Sequence, residues 1–175
     1  IYTFPRGKDT YVWHAGSEHQ LRQKLTEVLE QYHQQYPYRY GLKKAEVHNT
    51  YAKKIKPGVF DLYVERLERQ AVIRRHYEYL QMPDFAIRKD DVYQKVSDII
   101  LAAYEAAGYD FVRFGELDFK GLPPGVTEDV LAVLMDEGQV VRVQDDMCTL
   151  GSLMERAREK IQEKVKRDNL ITIAE

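Results

Sequence analysis

The chain has 175 residues and a net charge of −2, with 44% hydrophobic and 31% charged residues. This composition is typical of a soluble globular protein of one to three small domains, and it excludes a polyanion-binding protein held by overall charge alone. No apolar run approaches the roughly 18 residues of a membrane span, and no signal peptide is present, so we expect no membrane partner. The single cysteine, Cys148, excludes an internal disulfide and fits a reducing cytoplasm. Because the chain lacks natural start and stop features, we interpret it as an excised fragment. We also expect it to be a monomer.

The first thirteen residues predict a β-hairpin. Two aromatic and β-branched stretches, IYTFPRG and TYVWH, flank a turn at Gly7, Lys8 and Asp9. No helical pattern precedes this hairpin, so we interpret residues 1–13 as the wing that ends a preceding module.

Residues 14–87 predict three helices followed by a second hairpin. The apolar stripe of the first helix has a 3.6-residue period and consists of Leu21, Leu25, Val28, Leu29 and Tyr32. Pro37 and Gly41 bracket a turn, because proline cannot continue a helix and glycine tolerates positive φ, and a second helix follows from Lys43. The stripe of the third helix consists of Phe60, Tyr63, Val64 and Leu67. The stretch AVIRRHYEYLQM then predicts two strands with a turn near His76.

Residues 88–151 repeat this order of elements. The first stripe of the repeat consists of Val92, Val96, Ile99, Ile100 and Ala103. Gly108 suits the end of that helix, DFVRF predicts a short strand, and GELDFKG predicts a short second helix. Thr127 is expected to cap the third helix, and QVVRV and MCTL predict a hairpin. Residues 152–175 begin with a capping box at Ser152 and Glu155, and we expect them to open a further, truncated module.

Three helices followed by a two-stranded hairpin is the order of a winged helix. The sequence therefore predicts a mainly α fold with small β-hairpins (α+β), built from tandem winged-helix modules of the helix-turn-helix type. The same scaffold serves DNA, RNA and protein partners, so the fold alone does not give the function.

The two predicted modules differ in net charge. Residues 14–87 hold twelve basic and nine acidic side chains, whereas residues 88–151 hold six basic and thirteen acidic ones. The third helix of the second module carries Glu128, Asp129, Asp136 and Glu137 and no basic residue. Phosphates would repel such a helix, so we predict that the second module does not bind a nucleic-acid groove. The third helix of the first module has mixed charges, which also argues against groove reading.

Candidate contacts with RNA or ribosomal phosphates come from three basic clusters. They are Lys43, Lys44, Lys53, Lys54 and Lys56 around the second helix, Arg74 and Arg75 on the predicted wing, and Lys164, Lys166 and Arg167 near the end of the last helix. Each cluster also has a plain structural interpretation, as a solvated surface, a protected hairpin tip or a complement to the helix dipole. We interpret most of the thirteen tyrosines as packing residues rather than base-stacking ones.

No pattern in the chain predicts catalysis. The stretch Gly121–Gly125 lacks the spacing of a phosphate-binding loop, the five histidines and Cys148 have no metal-ligand spacing, and no acid/base pair stands out. We therefore expect no catalytic, cofactor-binding or metal-binding residue and no enzyme activity.

The stretch Tyr32-His33-x-x-Tyr36-Pro37-x-Arg39-x-Gly41-Leu42-x-Lys44-x-Glu46-Val47 resembles a family signature. It is similar to the C-terminal extension of SelB, the bacterial selenocysteine-specific translation elongation factor, in which such a helix opens one of four winged-helix modules. The resemblance implies a cytoplasmic GTPase parent that delivers selenocysteyl-tRNA to UGA codons on the ribosome. It also implies that GTP and Mg belong to absent N-terminal domains, and that the mRNA hairpin is bound mainly by the following module. The chain itself would then be a non-catalytic linker and RNA tether.

Two other hypotheses remain open from the residues alone. A winged-helix DNA-binding transcriptional regulator would need a basic recognition helix, and a tandem winged-helix protein–protein scaffold would need an exposed apolar patch.

Overall fold

A computed structural model of the chain describes residues 1–123 and 125–168, which divide into two compact units, Ile1–Arg88 and a second that begins at Lys89. The helices of the described residues are α1 (Ala15–Gln35), α2 (Lys44–Tyr51), α3 (Pro57–Arg69), α4 (Asp91–Ala107), α5 (Val126–Asp136) and α6 (Gly151–Asp168). Their strands are β1 (Tyr2–Arg6), β2 (Asp9–Trp13), β3 (Leu42–Lys43), β4 (Arg74–His76), β5 (Tyr79–Gln81), β6 (Val112–Arg113), β7 (Val140–Gln144) and β8 (Met147–Leu150). A short 3₁₀ helix spans Phe114–Glu116.

The first unit begins with the predicted hairpin, which is confirmed. Strands β1 and β2 pair antiparallel from Tyr2 opposite Trp13 to Arg6 opposite Asp9. Phe4 of β1 is buried and belongs to the same apolar core as α1 and α3. The hairpin is therefore packed into the first unit.

The rest of the first unit has the winged-helix order, with a three-stranded sheet in the order β3-β5-β4. The sequence did not predict β3, a two-residue strand that pairs with the wing strand β5. The buried apolar core of the unit comprises Phe4, Leu25, Leu29, Leu42, Val47, Ala52, Val59, Phe60, Tyr63, Val64, Leu67, Ile73 and Leu80. All four predicted stripe residues of α3 lie in this core, so the helical period predicted that face correctly.

Gly41 allows the chain to pass from α1 into β3. Its φ is +154°, and a Cβ atom at this position would collide with the backbone carbonyl oxygen of Leu80. Only glycine permits this close approach of β3 to β5.

The second unit repeats the topology, with a sheet in the order β6-β8-β7. Helix α4 begins after Asp90, whose carboxylate accepts a hydrogen bond from the Tyr93 N–H at 3.0 Å, and it ends at Gly108, which has a φ of +58°. The predicted glycine end of this helix is confirmed. The predicted second helix is reduced to the 3₁₀ helix at Phe114–Glu116.

Two local predictions in the second unit were wrong, and a third was only partly right. Helix α5 begins at Val126 after a left-handed Gly125, so Thr127 lies inside the helix and donates its hydroxyl hydrogen to Glu128 instead of capping it. Helix α6 begins at Gly151, one residue before the predicted capping serine. The predicted stripe of α4 was right at Val96 and Ile100. The other buried residues of this helix are Tyr93, Ser97 and Tyr104 instead of the predicted Val92, Ile99 and Ala103.

The winged-helix part of each unit thus combines three helical segments, the second of them a 3₁₀ turn in the second unit, with a three-stranded antiparallel sheet. The first unit adds the β1–β2 hairpin, and the second unit adds α6. The predicted fold class, mainly α with small β-hairpins in winged-helix form, is confirmed. The predicted continuation beyond residue 168 lies outside the described residues.

Candidate nucleic-acid interface

Helix α3 occupies the position from which a winged helix would read a nucleic-acid groove, and the N-terminal hairpin covers part of it. The ring centroid of Tyr63 lies 4.8 Å from that of Trp13 and 6.1 Å from that of Phe4. The guanidinium of Arg66 lies 3.9 Å from the ring centroid of Tyr2. The face of α3 that meets β1 is therefore occupied by aromatic packing and cation–π contact.

A buried polar contact fixes α3 to α1 beneath the hairpin. The hydroxyl of Tyr63 donates to the carboxylate of Glu18 at 3.3 Å, and both side chains are buried. Burial, followed by the nearby charge of Glu18, raises the pKa of Tyr63, so the phenol keeps its proton and remains a donor. Since Tyr63 also contacts the hairpin, α1, α3 and β1 form one packed assembly within the first unit.

The five lysines of the first predicted cluster divide into two groups. The amino group of Lys43 lies 2.9 Å from a carboxylate oxygen of Glu78, and that of Lys44 lies 2.6 Å from one of Asp61. The hydrogen bond from Lys43 to Glu78 raises the pKa of Lys43, so the amino group keeps its positive charge. That charge is paired with the Glu78 carboxylate. These two cations are thus partly neutralised at the surface.

The other three lysines, Lys53, Lys54 and Lys56, are exposed between α2 and α3. Lys56 donates to the hydroxyl of Tyr11 at 3.2 Å, and its amino group lies 5.2 Å from the centroid of that ring. Neither Lys53 nor Lys54 has a hydrogen bond or ion pair with any of the described residues. These three lysines form the α2–α3 loop cluster, which we call the α2–α3 loop. Within the predicted cluster, it is this loop whose positive charge is not paired with a carboxylate in the part of the chain that the structure describes.

The two wing arginines are engaged within the protein. Arg74 donates to the side-chain oxygen of the buried Gln81 and, at 2.8 Å, to the carbonyl oxygen of Phe85. Arg75 forms an ion pair of 2.7 Å with Glu68 of α3. Both arginines therefore stabilise the wing, which lowers their availability for phosphates.

The last predicted cluster lies near the C-terminal end of α6, where Lys166 and Arg167 are exposed and Lys164 is half-buried. Cations at this end of a helix complement its dipole. In the second unit, α5 presents the predicted acidic residues, and Glu137, just beyond the helix, is paired with Lys89 at 2.7 Å.

The histidine of the sequence signature, His33, has a structural role. It is 8% exposed, its ring is stacked on that of Phe85 at 3.6 Å, and its Nε2 accepts a hydrogen bond from the Met82 N–H at 3.1 Å. Burial lowers the pKa of His33 to about 4, so the ring is neutral near pH 7. The neutral imidazole thus holds the segment that contains Met82 and Phe85 against α1.

Within the part of the chain that the structure describes, no three His, Cys, Asp or Glu side chains are placed to hold a metal ion. Over the same residues, no helix is long and apolar enough to cross a membrane.

One group of possible contact residues was missed by the sequence prediction. Tyr40, His76, Tyr77 and Tyr79, which we call the wing aromatic cluster, form a continuous series of ring contacts. Our prediction treated the tyrosines as packing residues, and it had no helical or strand period by which to link Tyr40 to the wing. The only local signal was the sequence His76-Tyr77-Glu78-Tyr79, a turn that is unusually aromatic.

One comparison with known proteins finds a match to part of the chain. A family model described as elongation factor SelB, winged helix, matches residues 26–82, about a third of the chain. The match begins within α1 and ends just after β5, and it includes the whole signature stretch from Tyr32 to Val47. A search of curated proteins finds no match. The match shows that residues 26–82 are similar to the SelB winged helix, and it supports the interpretation of the chain as a SelB C-terminal winged-helix region.

Proposed function

We propose that this chain is the non-catalytic linker and RNA tether of a selenocysteine-specific elongation factor, joining a GTPase body to a module that binds an mRNA hairpin. The observation that carries the proposal is the match of residues 26–82 to the SelB winged helix. In this proposal GTP, Mg, selenocysteyl-tRNA and the ribosome are ligands of the complete factor, which acts as a monomer in the cytoplasm.

The surfaces of the two units support a linking role rather than groove reading. In the first unit, the hairpin packs on α3, and two of the acidic residues of α3 are paired with Lys44 and Arg75. In the second unit, α5 is acidic. A groove-reading helix must approach phosphates closely, and their neutralisation supplies most of the affinity for nucleic acid. Helix α5 has no basic residue, and α3 has only Arg66 and Arg69 beside three acidic residues, so neither helix presents a predominantly basic surface.

The α2–α3 loop is the proposed site of a weak electrostatic contact with RNA. Its lysines Lys53 and Lys54 are exposed and are not held by carboxylates of the described residues. Phosphate contacts of this kind add affinity without sequence preference and weaken as salt increases. The loop would thus help to hold RNA that the following module recognises.

The test is fluorescence anisotropy over a salt series with a UGA-adjacent mRNA stem-loop and a duplex DNA of equal length. We expect weak binding of the stem-loop by this chain and tight binding when the chain is joined to a following winged-helix module of the family. Tight binding of duplex DNA by the chain alone would overturn the proposal in favour of a transcriptional regulator.

A matched pair of variants tests the loop. Substituting Lys53→Glu and Lys54→Glu should weaken RNA binding and make the salt dependence shallower, by roughly one unit of slope for each phosphate that the loop no longer neutralises. The control carries the same charge change at exposed lysines outside the loop, Lys24→Glu and Lys95→Glu. Equal losses of affinity in both variants would show that net charge, and not the loop, governs binding.

A further inference from the structure

Four aromatic side chains meet at the wing of the first unit. The rings of Tyr40 and His76 are stacked, with centroids 4.1 Å apart and planes inclined by 22°. Tyr79 lies on one side of this pair, 6.4 Å from Tyr40, and Tyr77 on the other, 4.8 Å from His76. Four segments contribute to the series, namely the turn after α1, the end of β4, the turn between β4 and β5, and the start of β5.

The wing aromatic cluster lies outside the hydrophobic core. None of its tyrosines belongs to the buried core of the first unit or to the half-buried side chains that pack against it. Tyr77 is 79% exposed, which is unusual for so large an aromatic side chain. The core of the unit therefore does not explain why these four positions are aromatic.

The backbone conformation at Tyr77 also indicates a role other than packing. Tyr77 has a φ of +51°, a left-handed conformation that favours glycine or asparagine and is strained for other residues. The turn between β4 and β5 would form more readily with glycine there. The tyrosine thus adds strain to the hairpin while exposing its ring to solvent, a combination found where a residue serves a ligand.

Positive charge borders the rings. The amino group of Lys43 lies 5.8 Å from the centroid of Tyr79. Glu78 opposes this charge through its pair with Lys43. Because this cation is already paired, a ligand would gain more from ring stacking than from phosphate neutralisation.

We propose that the wing aromatic cluster is a stacking site for unpaired RNA nucleotides, with Tyr77 as the residue that receives a base. This inference rests on the proposed function, since it takes RNA as the partner. Aromatic side chains bind single-stranded RNA because every base has a face on which a ring can stack, and duplex bases are not available for such contact. The site is distinct from the lysines of the α2–α3 loop.

The test compares the wild-type chain with Tyr77→Gly and with Tyr109→Ala, which removes an exposed tyrosine of the second unit. Anisotropy measures the Kd for a 12-nucleotide single-stranded RNA and for a matched RNA duplex, and thermal unfolding gives the Tm of each variant. We expect Tyr77→Gly to weaken single-strand binding about tenfold, as for the loss of one stacked base. Its Tm should equal or exceed that of the wild type, because glycine relieves the positive φ. Tyr109→Ala should leave the affinity unchanged.

Three results would overturn the proposal: unchanged single-strand affinity in Tyr77→Gly, a wild-type chain that prefers the duplex, or a lowered Tm that assigns Tyr77 to the stability of the wing. The proposed function fails separately, if the chain with a following module does not bind the mRNA stem-loop while the Tyr77-dependent contact persists. Crosslinking of the wild-type chain to isolated ribosomal subunits and to the stem-loop then distinguishes ribosomal RNA from mRNA as the source of the nucleotide.

Discussion

Substituting Phe4→Ala is expected to loosen the N-terminal hairpin from α3 and to destabilise the first unit. The Phe4 side chain is 4% exposed and lies 4.9 Å from Trp13 and 6.1 Å from Tyr63, measured between ring centroids. Replacing a buried phenylalanine by alanine costs about 3–5 kcal/mol, from the transfer free energy of the removed atoms plus a cavity. Phe4 also lines an open cleft between β1 and α3, where neighbours can relax, so we expect about 3 kcal/mol.

The single tryptophan makes this destabilisation measurable. Trp13 contacts both Phe4 and Tyr63, so its fluorescence reports on the docked hairpin. In a urea titration, a decrease of about 3 kcal/mol lowers the midpoint of the Trp13 transition by about 1.5 M if the slope is about 2 kcal/mol/M. The control is Val12→Ala on the adjacent strand, where the side chain is 59% exposed, and its midpoint should barely move.

A shift of the Trp13 midpoint that is no larger in Phe4→Ala than in Val12→Ala would refute this prediction. That result would mean that the hairpin is not held on α3 by its buried phenylalanine. Helix α3 would then be open to a nucleic-acid groove, and a linking role for the first unit would be less well supported.

Two further predictions concern stability. The pKa of His33 is lowered by burial to about 4 from 6.5, so its contribution to stability is complete above pH 6.5 and is lost as the pH falls from 6.5 towards 4, because the unfolded chain takes up the proton first. Over this pH range the wild type should lose about 2–3 kcal/mol of its free energy of unfolding through this group. Urea titrations should therefore show a steeper decline of stability in the wild type than in His33→Gln, and parallel pH profiles of the two proteins would refute the prediction. Substituting Gly41→Ala forces a Cβ atom against the carbonyl oxygen of Leu80 at a φ of +154°, and should lower the free energy of unfolding by about 3 kcal/mol. Gly115→Ala, at a position with open space, should change it little, and similar decreases in both variants would contradict the steric explanation.

The sequence predicted those features that depend on periodicity and on local backbone chemistry. The order of helices and hairpins, the buried face of α3 and the glycine end of α4 all follow from patterns within one element. The predicted stripe of α4 was right at Val96 and Ile100 but wrongly included Val92 and Ala103, which complete a regular apolar pattern. The structure instead buries the larger rings of Tyr93 and Tyr104, which remove more apolar surface from water.

The candidate interface was less predictable because it depends on contacts between distant residues. Lys43 and Lys44 meet Glu78 and Asp61 only after folding, and Arg74 meets the carbonyl oxygen of Phe85. A count of basic residues along the chain cannot anticipate such neutralisation. The stacking of Tyr40 on His76 joins residues 36 positions apart for the same reason.

The two RNA contacts proposed for the first unit differ in physical origin, so an experiment can separate them. Contacts from the α2–α3 loop release counterions from phosphates, so they weaken steeply as salt increases. Stacking on the wing aromatic cluster involves few unpaired charges, so it should weaken much less over the same range. If both sites act, a salt titration with single-stranded RNA should remove the contribution of Lys53 and Lys54 first and leave an affinity that still depends on Tyr77. A wing contact that disappeared together with the loop contact would show that the aromatic rings depend on the lysines to bring RNA within reach.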